Sequence, residues 1–266
     1  MKQFRNMVYP YVAWIAVMIV APMLMIVLYA FTTAGNDVTT IRFTLDNFAR
    51  FFSDQVFLDV LWRSLFIAVI TTIICVLVGY PIAYAIAQRS EKSNMFWVLV
   101  ITMPTWIQDG GLINSLLGLF GIGPFKMMYT TFAVVLGMVY NFIPFMILQI
   151  HTSLTKMDKS YLEAAADLGA NKVQSFLRVT LPLSLPGVLS GITLVFLPAV
   201  SSFFIPKLLG GGQYVLIGNV IETQFLTSGD WNFGSAISLI MAVIIMISMY
   251  ITRKVDTDPA ARGKED

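Results

Sequence analysis

Six stretches of the chain, roughly residues 9–31, 60–87, 95–117, 130–151, 187–208 and 233–252, are each largely apolar over about the 20 residues that a helix needs to cross a bilayer. No other feature constrains the fold as strongly. In hydrocarbon every backbone N–H and C=O must find its partner within the protein, which leaves helices and closed barrels as the only spanning structures. The runs are continuous rather than alternating, so they read as helices. The sequence therefore predicts an all-α membrane protein with six transmembrane helices. Of the 266 residues 57% are hydrophobic and only 12% charged, whereas soluble domains carry about one quarter charged residues. The first run follows Lys2 and Arg5 as the core of a signal peptide would. It is longer than such a core, and no small-x-small cleavage site follows, so a retained span is expected.

Several function classes are weakly supported. A net charge of +2, with no run of basic residues, argues against a nucleic-acid partner. Cys75 is the lone cysteine and sits in an apolar run, which reads as a small core residue without an intramolecular disulfide. His151 is the only histidine, so H-E-x-x-H and multi-histidine metal sites are out of reach. No G-x-x-x-x-G-K-[ST] and no G-x-S-x-G occurs, which argues against autonomous nucleotide hydrolysis and against a serine-hydrolase site.

Charge sets the expected orientation. With the N-terminus in the cytoplasm, the inner segments hold twelve of the 17 Lys and Arg residues and the outer ones hold five: Arg42, Arg50, Arg63, Lys126 and Lys207. The positive-inside rule then places both termini and the 152–186 loop in the cytoplasm. Three outer segments follow from that. Residues 32–59 contain FTLDNFARFF, an amphipathic stretch suited to an outer surface; residues 118–129 form a Gly/Pro turn; residues 209–232 are too polar to span and are bounded by glycines.

Residues that break or polarise the spans are candidates for a pathway. Pro22, Pro104, Pro144 and Pro198 fall near the middle of their spans. Each frees a backbone carbonyl, which is tolerated beside protein or a water-filled cavity, and broken helices near the midplane recur at transport sites. Asp109, in TMPTWIQDGGLIN, admits two readings. It is either a carboxylate lining a cation pathway, with Trp106 and Gln108 beside it, or a residue that a broken helix returns to water at the outer interface. Tyr140 and Asn141 in the fourth span, and Ser201, Ser202 and Phe204 after Pro198, are further candidates that also serve as packing residues elsewhere. Glu222, Asp230 and Trp231 in the last outer segment have the chemistry to attract a cation by charge and by cation–π contact, or are solvated loop residues. Small residues at four-residue spacing, Gly187/Gly191 and Ala83/Ala87, suit close helix packing in lipid.

Between the fourth and fifth runs lies the least apolar interior stretch, residues 158–187, DKSYLEAAADLGANKVQSFLRVTLPLSLPG. Asp158 is a candidate N-cap, and Ser160/Glu163 has capping-box spacing. Tyr161 to Leu168 should be helical and Gly169 should end it in a left-handed conformation. A second helix is expected from about Asn171 to Thr180, with Val173, Phe176, Leu177 and Thr180 on one face, stopping before Pro182 and Pro186.

Glu163-Ala164-Ala165, Gly169 and Val179-x-Leu181-Pro182 match the pattern E-A-A-x3-G-x9-I-x-L-P, with Val179 as the single departure. The chain thereby resembles the permease subunits of binding-protein-dependent ABC importers. LPAVSSFFIPKLLGGG, IGNVIETQF and DWNFGSAIS resemble more narrowly the first of the two permeases of spermidine/putrescine importers, although Ser201-Ser202-Phe203 stands where that pattern often has Gly-Glu-Phe. The resemblance implies a type I importer permease fold: a first helix and extracytoplasmic segment over 1–58, a transmembrane core over 59–254 with its coupling loop at 152–186, and a cytoplasmic tail over 255–266. It implies a multi-pass protein of a prokaryotic cell membrane, forming half of a translocation pathway. Its partners would be a second permease that is a different chain, two copies of a cytosolic ABC ATPase and an extracytoplasmic polyamine-binding protein. ATP and magnesium would be bound by the ATPase, with no cofactor in this chain. Glu163, Ala164, Ala165, Asp167, Leu168, Gly169, Leu181 and Pro182 would couple to the ATPase. Trp106, Asp109, Tyr140, Asn141, Ser201, Phe204 and Glu222 are the candidate substrate-pathway residues. Three alternatives stand beside this reading: an importer permease for another small solute such as sulfate, molybdate or an opine-like compound, an autonomous channel or ion-coupled carrier without an ATPase, and a membrane-embedded scaffold without transport.

Overall fold

A computed structural model of the chain describes residues 2–33, 42–88, 119, 128–212 and 214–255. The predicted third span, with Pro104, Trp106, Gln108 and Asp109, lies outside the described residues, as do the tail after residue 255 and all of the 118–129 turn except residues 119, 128 and 129. The described chain is helical apart from loops and one antiparallel bridge between Thr32 and Phe43. Its helices are α1 (Lys2–Ala30), α2 (Asp46–Ser53), α3 (Gln55–Ala87), α4 (Thr131–Lys156), α5 (Ser160–Asp167), α6 (Lys172–Val200), α7 (Phe204–Leu209), α8 (Ile217–Thr223) and α9 (Trp231–Val255). α3, α4, α6 and α9 are each long and apolar enough to cross a bilayer, and α1 carries the apolar stretch Trp14–Ala30. The 58/59 boundary expected from sequence falls inside the continuous helix α3.

The bundle centres on α4, which packs against both α3 and α6, while α3 and α6 also touch each other; α1 packs along α9. Lipid tails are as apolar as leucine, so helices in a membrane gain little by hiding apolar surface from each other and gain instead from close approach. Glycine permits it. A Cβ added at Gly187 would stand 2.3 Å from Cβ of Ser153 and 2.9 Å from the Gln149 carbonyl oxygen; one at Gly191 would stand 2.6 Å from Sδ of Met146. The four-residue glycine stripe is thus the α4 contact of α6. On the other flank Ala83 is fully buried, and a Cβ at Gly79 would come within 3.1 Å of Met146. Cys75 is fully buried between α3 and α4, with Sγ 3.7 Å from the Val139 carbonyl oxygen, in agreement with a small core residue.

Asparagine side chains fasten the opposite end of the bundle from the 157–180 loop. The last carbonyls of α1 have no partner within their own helix. Nδ2 of Asn47 donates to the carbonyls of Ala30 (3.0 Å) and Thr32 (3.1 Å), and Nδ2 of Asn232 donates to those of Tyr29 (3.0 Å) and Thr32 (2.8 Å). The amphipathic helix predicted in FTLDNFARFF forms as α2, but it is built into the fold rather than only resting on a surface. Phe51 is fully buried, Arg50 lies 4.0 Å over the Phe233 ring, and Arg50 pairs with Asp230 at 2.9 Å.

The fifth span differs from expectation. The helix-turn-helix does not close before the prolines: Lys172–Val200 is one helix containing Pro182 and Pro186, so the span runs earlier than the predicted 187–208. A π turn over Phe176–Thr180 explains how, with the Leu181 N–H reaching back to the Phe176 carbonyl. A proline in an α-helix lacks one hydrogen bond and its ring collides with the carbonyl four residues back. The wider π turn, placed immediately before Pro182, moves those carbonyls aside.

Replacing Gly187 with valine is expected to wedge α4 from α6, at a cost of about 1–3 kcal/mol for an overpacked site. A lowered melting temperature of the detergent-solubilised protein, followed by intrinsic fluorescence, would register it; an unchanged melt would mean that the close contact is not a support of the bundle.

Candidate functional site

Two regions carry the candidate residues. The first is the loop between α4 and α6. The Ser160 N–H donates to Oδ1 of Asp158 (2.9 Å), and this hydrogen bond holds the Asp158 carboxyl below its usual range. Asp158 therefore starts the helix, but through a turn two residues on. The Ser160/Glu163 capping box does not form, because Ser160 is already the first helical residue. A complete box occurs eleven residues later: Asn171 accepts from the Gln174 N–H (2.9 Å) while Gln174 Oε1 accepts from the Asn171 N–H (3.0 Å). The end of α5 is as expected. Gly169 has φ +78°, and the N–H groups of Gly169 and Ala170 donate to the carbonyls of Ala166 (2.9 Å) and Ala165 (3.0 Å), a Schellman arrangement. A Cβ there would meet no atom within 4 Å, so the backbone angle, and not space, selects glycine.

Burial divides the loop. Glu163, Ala164 and Asp167 are exposed, and Leu168 is 89% exposed, an unusual setting for leucine at a helix end. Leu162 and Ala165 turn inward and are half-buried. Of the face expected on the second helix, Thr180 is buried and Phe176 half-buried, whereas Val173 and Leu177 are exposed. The reason is that only Phe176 meets aromatic partners: it stands edge-on to Tyr80 (5.9 Å between centroids) and Tyr84 (5.1 Å), both on α3. The Tyr80 hydroxyl lies 2.7 Å from Oγ of Ser184 on α6. Leu181 and Pro182 stand apart from Glu163–Gly169, past the π turn, where α6 enters the bundle. Beside α5, Tyr84, Gln88 and Leu162 line clefts of about 750 and 720 Å³.

The second region is the break at the far end of α6. The helix stops at Val200, and residues 201–203 lead into α7. Nδ2 of Asn219 donates to the Phe203 carbonyl (2.7 Å) while its Oδ1 accepts from the Leu216 N–H (3.1 Å). Oγ of Ser64 accepts from the Ile217 N–H (2.8 Å) and donates to the Val60 carbonyl (2.7 Å). A Cβ at Gly218 would lie 2.5 Å from the Ser201 carbonyl oxygen. Sequence reasoning missed Ser64, Gly218 and Asn219; the one available signal was an asparagine inside the otherwise apolar IGNVI. Among the sequence candidates, this region gathers Ser201, Phe204 and Glu222. Ser201 is exposed, with its hydroxyl 3.3 Å from the Leu197 carbonyl of its own helix, and Phe204 is 61% exposed. Glu222 is not a free carboxylate: Oε1 accepts from Nζ of Lys207 at 2.7 Å. Asp230 is likewise paired, with Arg50, and Trp231 is exposed. Tyr140, whose buried hydroxyl lacks a hydrogen-bond partner among the described residues, and the exposed Asn141 lie one turn along α4 from Gly137, against which Ile205 and Leu209 pack.

Residues 93–258 match the family model of the binding-protein-dependent transport system inner membrane component. The chain belongs to this family. Among its relatives, the spermidine/putrescine transport system permease protein PotB of Salmonella typhimurium is 37% identical over 268 residues, covering 94% of this chain and 93% of that one. PotB of Escherichia coli K12 is 36% identical over 262 residues, with 92% and 94% covered. The fold is shared with a bacterial ABC transporter that imports the acidic polysaccharide alginate, at a TM-score of 0.72 and 16% identity over 96% of both chains. This permease is thus a multi-pass, all-α membrane component of a transport system and not itself an enzyme.

Asn219→Leu should leave the Phe203 carbonyl and the Leu216 N–H without partners, at about 1–3 kcal/mol for each buried group. Faster proteolysis of the 201–216 connection in the purified protein, relative to wild type, is the expected readout. At the loop end, the lowered Asp158 pKa carries a sign: its contribution to α5 is present above the usual carboxylate range and is lost as pH falls through the folded value. Amide-exchange protection at Ser160 should hold at neutral pH and fall in acid, and Asp158→Ala should remove that dependence.

Proposed function

We propose that the chain is a permease subunit of an ATP-driven polyamine importer, carrying spermidine and putrescine into the cell. The observation that carries this reading is the identity of 36–37% over more than nine-tenths of the chain with two permeases named for spermidine/putrescine transport. A second permease would complete the pathway, with two ABC ATPases beneath it and an extracytoplasmic polyamine-binding protein delivering cargo. Nucleotide and magnesium belong to the ATPases. Both termini and the α4–α6 loop face the cytoplasm in this arrangement, in keeping with the excess of Lys and Arg in those segments.

In the mechanism, α5 is the coupling helix. Its exposed side carries Glu163, Ala164, Asp167 and Leu168, with Ala165 turned inward. Alanines allow close docking in an ATPase groove, Glu163 and Asp167 set register by charge, and Gly169 turns the chain back toward the bundle. Leu181 and Pro182 mark the point where the motion enters the membrane. Closure of the ATPase pair moves α5, and the Phe176 ring held by Tyr80 and Tyr84 passes the displacement to α3 as well as α6. Spans then rock between outward- and inward-open states around a path in which Tyr140, Asn141, Ser201, Phe204 and Glu222 take part, together with Trp106 and Asp109 outside the described residues. Polyamines are multiply charged cations with methylene spacers, and paired carboxylates with aromatic walls offset their dehydration.

The test is uptake of radiolabelled putrescine and spermidine by cells lacking their own polyamine importers and expressing the chain with its partner subunits. Saturable, ATP-dependent uptake is expected. Uptake of sulfate or molybdate in place of amines would point to another cargo, and transport by the chain alone in liposomes would sink the importer reading. Gly169→Asp should abolish both ATPase co-purification and uptake; survival of both would remove α5 from coupling.

A further inference from the structure

Of the two ion pairs among the described residues, Lys207–Glu222 has the more shielded carboxylate, 19% exposed for Glu222 against 33% for Asp230, while its cation is as open as the other, 59% for Lys207 against 55% for Arg50. Each partner sits on a different short helix beyond the α6 break, Lys207 on α7 and Glu222 on α8. The two helices are already held without it. Asn219, three residues before Glu222 on α8, ties the Phe203 carbonyl at the start of α7; Gly218 lies against the Ser201 backbone; Ile205 and Leu209 of α7 pack on Gly137. An ion pair this exposed on one side adds little to such a joint. The carboxylate stands on the shorter stem from a helix that is held in place, while the lysine is a flexible four-carbon arm. Phe204, three residues before Lys207 and so on the same side of α7, is 61% exposed, and Phe203 is 46% exposed.

We propose that Glu222 is a receptor for a primary ammonium and that Lys207 is its built-in occupant, holding the carboxylate until one end of a diamine displaces it. This rests on the polyamine reading of the cargo. A lysine side chain is four methylenes ending in an ammonium, the same unit as half of the putrescine charge pattern on its full spacer. The exchange swaps one ammonium for another, so the carboxylate is never left bare in a poorly hydrated site, where an unpaired charge is costly. Exposed Phe203 and Phe204 offer ring faces and apolar surface to the incoming amine and its methylenes. Lys207, once displaced, lies close to the bound cation and repels it, and its return to Glu222 releases the cargo.

The experiment measures KM for radiolabelled putrescine with the complete importer in proteoliposomes, with subunit co-purification as the check on assembly. Lys207→Met removes the competitor and keeps the stem, so KM should fall by about two- to five-fold, the worth of an exposed pair. Lys207→Arg keeps the tie and grips the carboxylate bidentately, so KM should rise. Glu222→Gln should raise KM as well. The charge swap Lys207→Glu with Glu222→Lys should assemble without restoring the wild-type KM, because the carboxylate then sits on the mobile arm. A Lys207→Arg importer with unchanged KM, a Lys207→Met importer that assembles with KM unchanged or raised, or a swap with wild-type KM would each overturn the proposal and leave the pair as a structural tie. A wild-type importer that carries no diamine would remove the polyamine reading itself, an outcome distinct from these.

Discussion

The approach of α6 to α4 across Gly187 and Gly191 is the contact on which the other features depend. With lipid outside, the helices are held by shape and dispersion, and both fall off within an ångström of added separation. The glycines set that separation against Gln149, Ser153 and Met146. Once the pair is set, α3 has a defined seat. Gly79 and Ala83 lie against α4, and the Tyr80 hydroxyl reaches Ser184 on α6. The α4–α6 loop connects two helices packed directly on each other, so the position of α5 is fixed from both of its ends by the same packing.

That placement bears on how the loop would transmit force in the proposed coupling. A loop joined to its spans by free torsions would absorb displacement. Here each joint is occupied: an Asp158 turn leads into α5, a Schellman end leads out, an Asn171/Gln174 box starts α6, and a π turn continues the helix past two prolines. Phe176 sits within that π turn and between two tyrosines of α3. The proline-rich entry to the fifth span is consequently one continuous helix, which under the proposed coupling role would act as a lever. The exposed Leu168 and Leu177 sit on the parts that a partner would push.

What was legible in the sequence follows from how local each determinant is. Spans appear as apolar runs because the bilayer acts on one helix at a time. Gly169 was legible because a left-handed residue is a property of one position. The Pro182 rule misled because it describes an α-helix, and the answer here is a π turn one residue upstream. A hydropathy window could not locate the end of the fifth span, since the apolar residues run on through Phe203 and Phe204; the break is held by Asn219, sixteen residues away from Phe203. Ser64 reads as ordinary packing until its oxygen is seen accepting the Ile217 N–H from a distant element. Likewise Glu222 reads as an open carboxylate, and only the fold of α7 onto α8 brings Lys207 to it.

The two ends of the bundle solve their polar problems differently, and the difference limits what each can do. At the loop end the exposed groups belong to α5 and answer to water or a partner surface. At the other end, helix ends and breaks leave carbonyls without helical partners, and neutral carboxamides from Asn47, Asn219 and Asn232 satisfy them. Amides suit that task because they bring donors without a charge to desolvate. Two of the carboxylates there, Glu222 and Asp230, are each matched by a cation from another element. Asp230 is further committed as the acceptor of the Phe233 N–H at the start of α9. Glu222 has no such second duty among the described residues. Under the proposed function a cation passing this end would meet these two pairs, and of the two it is Glu222 whose only partner among the described residues is the cation to be exchanged.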